Sequence, residues 1–484
     1  MAPTAELERA PERERSAPSP QRVAATGERR VTVTDEGTVK RAVRATMLGN
    51  AMEWFDFGVY AYLAVTIGKV FFPAASGTAQ VLSSLAAFAA AFLVRPLGGM
   101  VFGPLGDRIG RKKVLALTMI MMSGATLAIG LLPTHAAIGL WAPVLLVLFR
   151  MVQGFSAGGE YGGAATFIAE YAPDKRRGFF GSFLELGTLI GYTAAAALVT
   201  GLEMGLSDDA MVSWGWRIPF LIAGPIGLVG LYLRLRLEET PAYQELAEGG
   251  GGHDERPKLT IRQVLAGQWR AMALCMALVA AFNVTDYVLL SYMPTYLTDT
   301  LGFDPTTGLL SIVLVMIVLM LLINRVGALS DRFGRRPVLM AGSLAFLVLS
   351  VPALLLIKLG SWPAVFAGLL ILGLALLGYV STMSPTLPAL FPTDRRYCSL
   401  SISFNVSVSL FGGTTPLVVA ALVSSTGNDL MPAFYMMLFA AVGLVAAHRM
   451  EETAGKPLKG SPPSVATEEE AAALRAAPRI PTAR

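Results

Sequence analysis

The sequence predicts an all-α polytopic membrane protein, with twelve membrane-crossing helices arranged as two pseudo-symmetric bundles of six. Three observations carry this expectation: the scarcity and placement of charge, the number of apolar stretches of span length, and an internal duplication. Of 484 residues, 54% are hydrophobic and 15% charged; a soluble domain has about 25% charged. The charges crowd into the two ends of the chain and a few short loops. That excludes a disordered chain, a nucleic-acid binder with a basic face and an ordinary cytosolic enzyme. The lipid bilayer is the expected partner, and nucleic acid is not.

Residues 1–40 are charged and Ser/Pro-bearing and read as a disordered tail. No apolar run follows a short basic start, so the tail is not a signal peptide. A helix needs about 20 predominantly apolar residues to cross a bilayer. Twelve such stretches follow, at roughly 44–68, 79–104, 113–132, 140–169, 179–201, 215–236, 269–298, 307–328, 337–358, 362–390, 398–423 and 430–448. They are too long, and too free of period-2 alternation, to be strands. Residues 41–236 then make a first bundle and residues 269–452 a second. Between them, 237–268 holds the Gly-rich stretch Glu248-Gly-Gly-Gly-Gly-His253 and reads as a flexible linker. Residues 453–484 remain as a short tail.

Orientation follows from basic residues in short loops. Arg108, Arg111, Lys112 and Lys113 follow span 2, and Lys175, Arg176 and Arg177 follow span 4. Arg332, Arg335 and Arg336 follow span 8, and Arg395 and Arg396 follow span 10. The alternate loops carry Glu203, Asp208, Asp209, Asp299 and Asp304 instead. The basic loops, and with them both termini, are expected on the cytoplasmic side of the cell membrane.

The halves echo one another. Gly103-Pro-Leu-Gly106-Asp107-Arg108-Ile-Gly-Arg111 recurs as Gly327-Ala-Leu-Ser-Asp331-Arg332-Phe-Gly-Arg335. Asp174-Lys-Arg-Arg177 has a weaker echo in Asp394-Arg-Arg396, and Glu238-Glu-Thr240 returns as Glu451-Glu-Thr453. Three pairs in the same order are not a chance match. Parallel repeats of this kind place a binding site between the two bundles.

Ionisable residues inside spans are costly and usually functional. Glu53, Asp56 and Tyr60 stand at i, i+3 and i+7 of span 1 and share a helical face. Arg95 in span 2 is the natural counter-charge. Arg150 and Glu160 lie in span 4, Glu185 in span 5 and Asp286 in span 7. No histidine sits in mid-span, which leaves carboxylates to carry protons: Glu53, Asp56, Glu160 and Asp286, with Arg150 as a further member of the coupling set that need not touch Glu160. The alternative is a fixed ion-pair network that only holds helices together. Aromatic faces attract quaternary ammonium groups, and Arg binds carboxylates through its fork. Trp54, Tyr60, Arg95, Tyr161, Asn283, Tyr287 and Asn405 are therefore the candidate substrate contacts. Asp286 would serve either coupling or the cationic end of a substrate. Two cysteines and three scattered histidines, with no nucleotide loop and no nucleophile–base pair, give no reason to expect an enzyme, a metal centre or a cofactor other than the proton.

The repeated Gly-x-x-x-Asp-Arg-x-Gly-Arg pattern, with Arg150-x-x-Gln153-Gly154, resembles the signature motifs of the major facilitator superfamily. Gly49-Asn50-Ala-Met-Glu53-Trp54-Phe-Asp56, Arg95-Pro-Leu-Gly98-Gly99 and Gly158-Gly159-Glu160 resemble its metabolite:proton symporter family. The resemblance spans roughly residues 35–460. It implies alternating access of two bundles and proton-coupled import of a small solute. It also implies a lock built from Gly103, Gly106, Asp107, Arg108, Arg111, Asp331, Arg332 and Arg335. A zwitterionic osmolyte such as proline or glycine betaine is the expected solute. A small carboxylate, 2-oxoglutarate- or shikimate-like, is the alternative, and a non-transporting receptor is the alternative of another class. Osmosensing members of the family can carry a C-terminal coiled coil. Residues 461–484 hold too few turns between prolines for one, so regulation by that route is not expected. A monomer is expected.

Overall fold

In a computed structural model, residues 31–109, 111–236, 261–393 and 395–476 are described. The twelve sequence-predicted stretches are all helical. Among the described residues, nine helices are long and apolar enough to cross a membrane, and ten if the pair Asp208–Gly215 and Arg217–Val229, bent by 43°, is one span. The shortfall from twelve has physical causes. Span 1 carries Glu53 and Asp56 in its middle, and span 3 (Arg111–Leu131) opens in the basic cluster, leaving a shorter apolar helix, Ala116–Leu131.

Several spans are interrupted where they approach the molecular centre. Span 1 runs Glu36–Tyr62 and Ala64–Phe71, span 2 Gly77–Leu93 and Arg95–Ile109, and span 4 Trp141–Ala157 and Glu160–Tyr171. Span 7 runs Ile261–Tyr287 and then widens to π-helical turns at Val288–Tyr292 and Tyr296–Thr300. Span 11 does the same at Val408–Gly412, between Arg396–Ser407 and Thr415–Thr426. Such turns are rare and concentrate at functional sites. The remaining spans are Arg177–Gly205, Arg217–Arg236, Pro305–Phe333, Arg335–Lys358, Trp362–Val380 and Met431–Arg449.

The bundles meet at both ends. At the end bearing the basic loops, span 5 packs on span 8, where Ser182 donates to Asn324 at 2.9 Å. Toward the other end, Ser409 of span 11 donates to the Phe92 carbonyl at 2.6 Å, and Tyr192 and Ser291 are 2.9 Å apart. Contacts between the bundles thus form toward both ends.

Two expectations about the ends are corrected. The tail assigned to 1–40 already forms a strand at Thr32–Val33 and is helical from Glu36, because the Asp35 side chain caps that helix by accepting from the Thr38 amide at 2.7 Å. Span 7 begins at Ile261, inside the segment assigned to the linker; the rest of the linker, 237–260, lies outside the described residues. The tail after span 12 is not a free end either. Its strand Ser464–Val465 pairs in parallel with Thr32–Val33, and a short helix, Glu468–Ala476, follows.

Candidate functional site

The carboxylates of spans 1 and 4 come together inside the first bundle. Arg95 is buried at the break of span 2, with Pro96 in the first turn, where a missing amide costs nothing. Its Nη2 lies 3.1 Å from Glu53 Oε1 and 3.3 Å from the Ala157 carbonyl. That carbonyl is available because span 4 stops at Gly158-Gly159. A side chain at Gly158 would run into the Arg95 carbonyl and the Gly99 amide nitrogen, so glycine is what lets the two broken helices touch.

One turn further along span 1, Asp56 Oδ2 lies 2.9 Å from the Thr126 hydroxyl of span 3. Thr126 in turn accepts from Gln153 Nε2 at 2.6 Å, and Gln153 accepts from Arg150 at 2.9 Å. The Thr126 oxygen is also 2.9 Å from the Met122 carbonyl. A hydroxyl has one hydrogen to give. When it goes to an ionised Asp56, the Met122 carbonyl loses it. When Asp56 carries its own proton, Asp56 donates and Thr126 turns to Met122. The network accommodates both protonation states without moving a heavy atom. Arg150 does not pair with Asp56 directly. Its guanidinium sits over Tyr60 at 4.2 Å, Phe88 at 5.2 Å and Phe57 at 5.3 Å, and its Nε and Nη2 have no hydrogen-bond partner.

Glu160 opens the second half of span 4 and accepts from Thr118 at 2.9 Å. With Glu53 and Asp56 it lines a small pocket between spans 1, 3, 4 and 6, whose other lining residues include Met52, Met119, Met122 and Ile226. The sequence named the three carboxylates. Thr118 and Thr126, which hold two of them, carry no signal that separates them from other span threonines.

A second group lies where the bundles meet. Trp54, beside Glu53 on span 1, has its ring 5.3 Å from Tyr192 of span 5 and 5.9 Å from Tyr287 of span 7. Phe92 is 5.4 Å from Tyr287, and the Arg95 guanidinium lies over Phe92 at 5.5 Å. Asp286 is buried on span 7 with Oδ1 unpartnered, as is the neighbouring Tyr287 hydroxyl. Asp286 interacts electrostatically with Glu185 of the opposite bundle, and Glu185 accepts from Tyr161 at 2.7 Å and Thr188 at 3.0 Å. Tyr161 also stacks on Phe404 of span 11, with centroids 3.8 Å apart.

The structure brings some of the residues named from the sequence together and separates others. Asp286 does not join Glu53, Asp56 and Glu160, because span 7 belongs to the other bundle. Tyr60 does not join the Trp54 cage: its ring lies under Arg150, and its hydroxyl donates to the Ser84 carbonyl at 3.1 Å. Asn283 donates to its own helix at Val279, and Asn405 ties span 11 to the Gly158 carbonyl at 2.7 Å. Tyr192 and Phe92 were missed; Tyr192 is the lone ring in a stretch of small residues on span 5, which was its available signal.

At the basic end, Asp331 caps span 5 across the bundle boundary, accepting from the Gly178 amide at 2.7 Å and the Phe179 amide at 2.9 Å. This is the favourable placement of an anion at a helix N-terminus. Arg335 is buried, 3.6 Å from Asp331, and donates to the Pro385 carbonyl at 3.0 Å. Arg332 is exposed and over Phe333, outside this contact. The side chains of Gly103, Gly106, Asp107, Arg108 and Arg111 lie outside the described residues.

Comparison with known proteins places this geometry. The family model described as sugar (and other) transporter matches residues 42–251 and 248–463. A protein named proline/betaine transporter from Salmonella typhimurium is 47% identical over 446 residues, covering 91% of this chain and 89% of its own length. The glycine betaine/proline/ectoine/pipecolic acid transporter OusA of Dickeya dadantii is also 47% identical over 446 residues, with the same coverage. The ectoine/proline transporter ProP of Corynebacterium glutamicum is 45% identical over 459 residues, covering 92% and 91%. Among solved structures, the proton:xylose symporter XylE bound to 6-bromo-6-deoxy-D-glucose aligns with a TM-score of 0.70 at 18% identity, covering 88% of this chain and 98% of that one. XylE from E. coli in a partially occluded inward-open conformation aligns at 0.66 and 19%, covering 87% and 100%.

Proposed function

We propose, from the premise that this chain belongs to the sugar (and other) transporter family, that it imports a zwitterionic osmolyte such as proline or glycine betaine together with protons. The family makes it a transporter in a membrane. The basic loops support a cytoplasmic location of both termini at the cell inner membrane. Relatives at 45–47% identity whose names include proline, glycine betaine and ectoine support the substrate class.

The carrying observation is that ring cage and carboxylate cluster are separate but share Arg95. The Trp54–Tyr192–Tyr287 cage, assembled from both bundles, suits a quaternary or secondary ammonium group. Asp286 serves the cationic end. Arg95, whose Nε and Nη1 have no partner, is available to a carboxylate. Because Arg95 also holds Glu53, a substrate carboxylate competes with Glu53 for the same guanidinium. A proton on Glu53 removes the competitor, so proton and substrate bind together. Rocking of the bundles then carries both inward, and the proton leaves where pH is higher.

The rival reading, a small carboxylate, gains from Arg150, which lies over the Phe57 ring at 5.3 Å, a ring that Arg95 also approaches at 5.8 Å. Proteoliposomes with an imposed pH gradient decide between them. Excess proline and betaine should each suppress labelled proline uptake, while 2-oxoglutarate and shikimate leave it unchanged. Competition by the acids instead of betaine would overturn the zwitterion reading.

A further inference from the structure

We infer that residues 456–465 are a strap that holds the basic face of the transporter shut, with Leu458 as its wedge. This goes beyond substrate and coupling and rests only on that face opening during transport.

The strap closes over two equivalent arginines. Arg177 follows span 4 and Arg396 follows span 10, in the echoed Asp-x-x-Arg and Asp-Arg-Arg motifs. Both are buried, and both brace the end of the preceding span in the same way. Arg177 Nε donates to the Ala169 carbonyl at 2.9 Å, and Arg396 Nε donates to the Pro388 carbonyl at 3.1 Å. Each then offers a second N–H to the strap. Arg177 Nη1 reaches the Lys456 carbonyl at 3.0 Å, and Arg396 Nη2 reaches the Lys459 carbonyl at 3.1 Å. The strap thus spans one arginine from each bundle. Leu458 falls between these two anchors and is buried in a small apolar cluster with Ala169 of the first bundle and Ala389 of the second. Opening the basic face separates Ala169 from Ala389, so Leu458 must lose at least one of them.

Beyond the wedge, the Ser464 amide donates to Asp174 at 3.1 Å, in a buried position. Asp174 also pairs with Arg177. Pairing of Ser464–Val465 with Thr32–Val33 ties the strap to the segment entering span 1. Lys175 and Glu470, 3.0 Å apart, add only an exposed pair. A free tail would form none of the buried contacts. The strap therefore favours the state in which substrate sites face away from the basic loops.

The test uses the full chain in proteoliposomes, with Cys275→Ala and Cys398→Ala and spin labels at the exposed positions Arg176→Cys and Arg332→Cys, on opposite sides of the face. The parent should show mainly a short distance. Leu458→Asp should raise the long-distance population about tenfold, the scale of one leucine's burial. Ser464→Pro, which removes the amide bonded to Asp174 and leaves Leu458 intact, should raise it less. If Leu458→Asp does not insert, Leu458→Ala gives a graded version. In the parent, trypsin cleavage at the exposed Lys459 should accelerate during substrate-driven turnover. Unchanged distances in the leucine and proline variants, or cleavage indifferent to turnover, would overturn the strap. Because the distances report the face itself, they do so whichever solute is carried.

Discussion

At the scale of single residues, the two carboxylates of span 1 behave differently because their partners differ. Glu53 faces a buried guanidinium at 3.1 Å, and removing one member of a buried ion pair costs about 3–5 kcal/mol. Asp56 meets only a hydroxyl, whose loss costs about 1 kcal/mol. Glu53→Gln should therefore destabilise the protein strongly, and Glu53→Gln with Arg95→Met should recover most of that loss in a thermal melt. Asp56→Asn should fold normally and lose pH-gradient-driven uptake about tenfold or more, while substrate exchange at equal pH persists, since exchange moves no net proton. Normal gradient-driven uptake in Asp56→Asn would remove this residue from coupling. Trp54 bears on substrate. Its ring contributes about 0.5–2 kcal/mol to a desolvated cation, so Trp54→Ala should raise the Michaelis constant for betaine several-fold and for proline by less. Equal losses would make it a packing residue between Tyr192 and Tyr287.

At the scale of elements, the helices were legible because a bilayer imposes a length and a hydrophobicity that composition records directly. The breaks were only half legible. Gly158-Gly159 and Arg95-Pro96 could be read as motifs, but the interruption at Leu63 and the π-helical turns at Val288 and Val408 change the helical period too little for a hydrophobic pattern to show. The strap was not legible, because Arg177 and Arg396 bind it through the Lys456 and Lys459 carbonyls, and a carbonyl leaves no trace in the sequence. One element contact predicts a pH response. Burial pushes the Glu452 carboxyl up, but amides of Ala454, Arg335, Arg336 and Thr453 together outweigh this and hold it below the usual carboxylate range. A depressed folded value means the group stabilises above the unfolded value of about 4.3 and stops doing so as pH falls through the folded one. The melting difference between wild type and Glu452→Gln should thus stay constant from about pH 7 to 5 and close below about pH 4. A difference that vanished between pH 7 and 5 would mean the cap at the start of span 9 is not what Glu452 supplies.

At the scale of the whole molecule, the internal duplication implied two bundles with a site between them, but it could not tell which state they occupy. Here the bundles touch toward both ends, and at the basic end they do so with no room to spare: a side chain at Gly327 would meet Ser182 Oγ at 2.7 Å and the Gly178 carbonyl at 2.8 Å. A bulky residue there must hold spans 5 and 8 apart. Cys275, fully buried on span 7, reports the consequence. Its helix packs on span 11, whose Phe404 stacks on Tyr161 of span 4, so it lies near where the bundles meet. In a chain carrying Cys398→Ala, Gly327→Trp should speed N-ethylmaleimide labelling of Cys275 at least about tenfold and abolish uptake, because the outward-facing state can no longer form. Asp331→Ala removes a cap worth about 1 kcal/mol and should speed labelling about fivefold, with uptake reduced rather than lost. The order matters more than either rate. Steric separation acts on every molecule, whereas loss of a cap only tilts a population, so labelling must rank Gly327→Trp above Asp331→Ala above wild type. Equal labelling in all three would mean that spans 5 and 8 do not gate access to the centre.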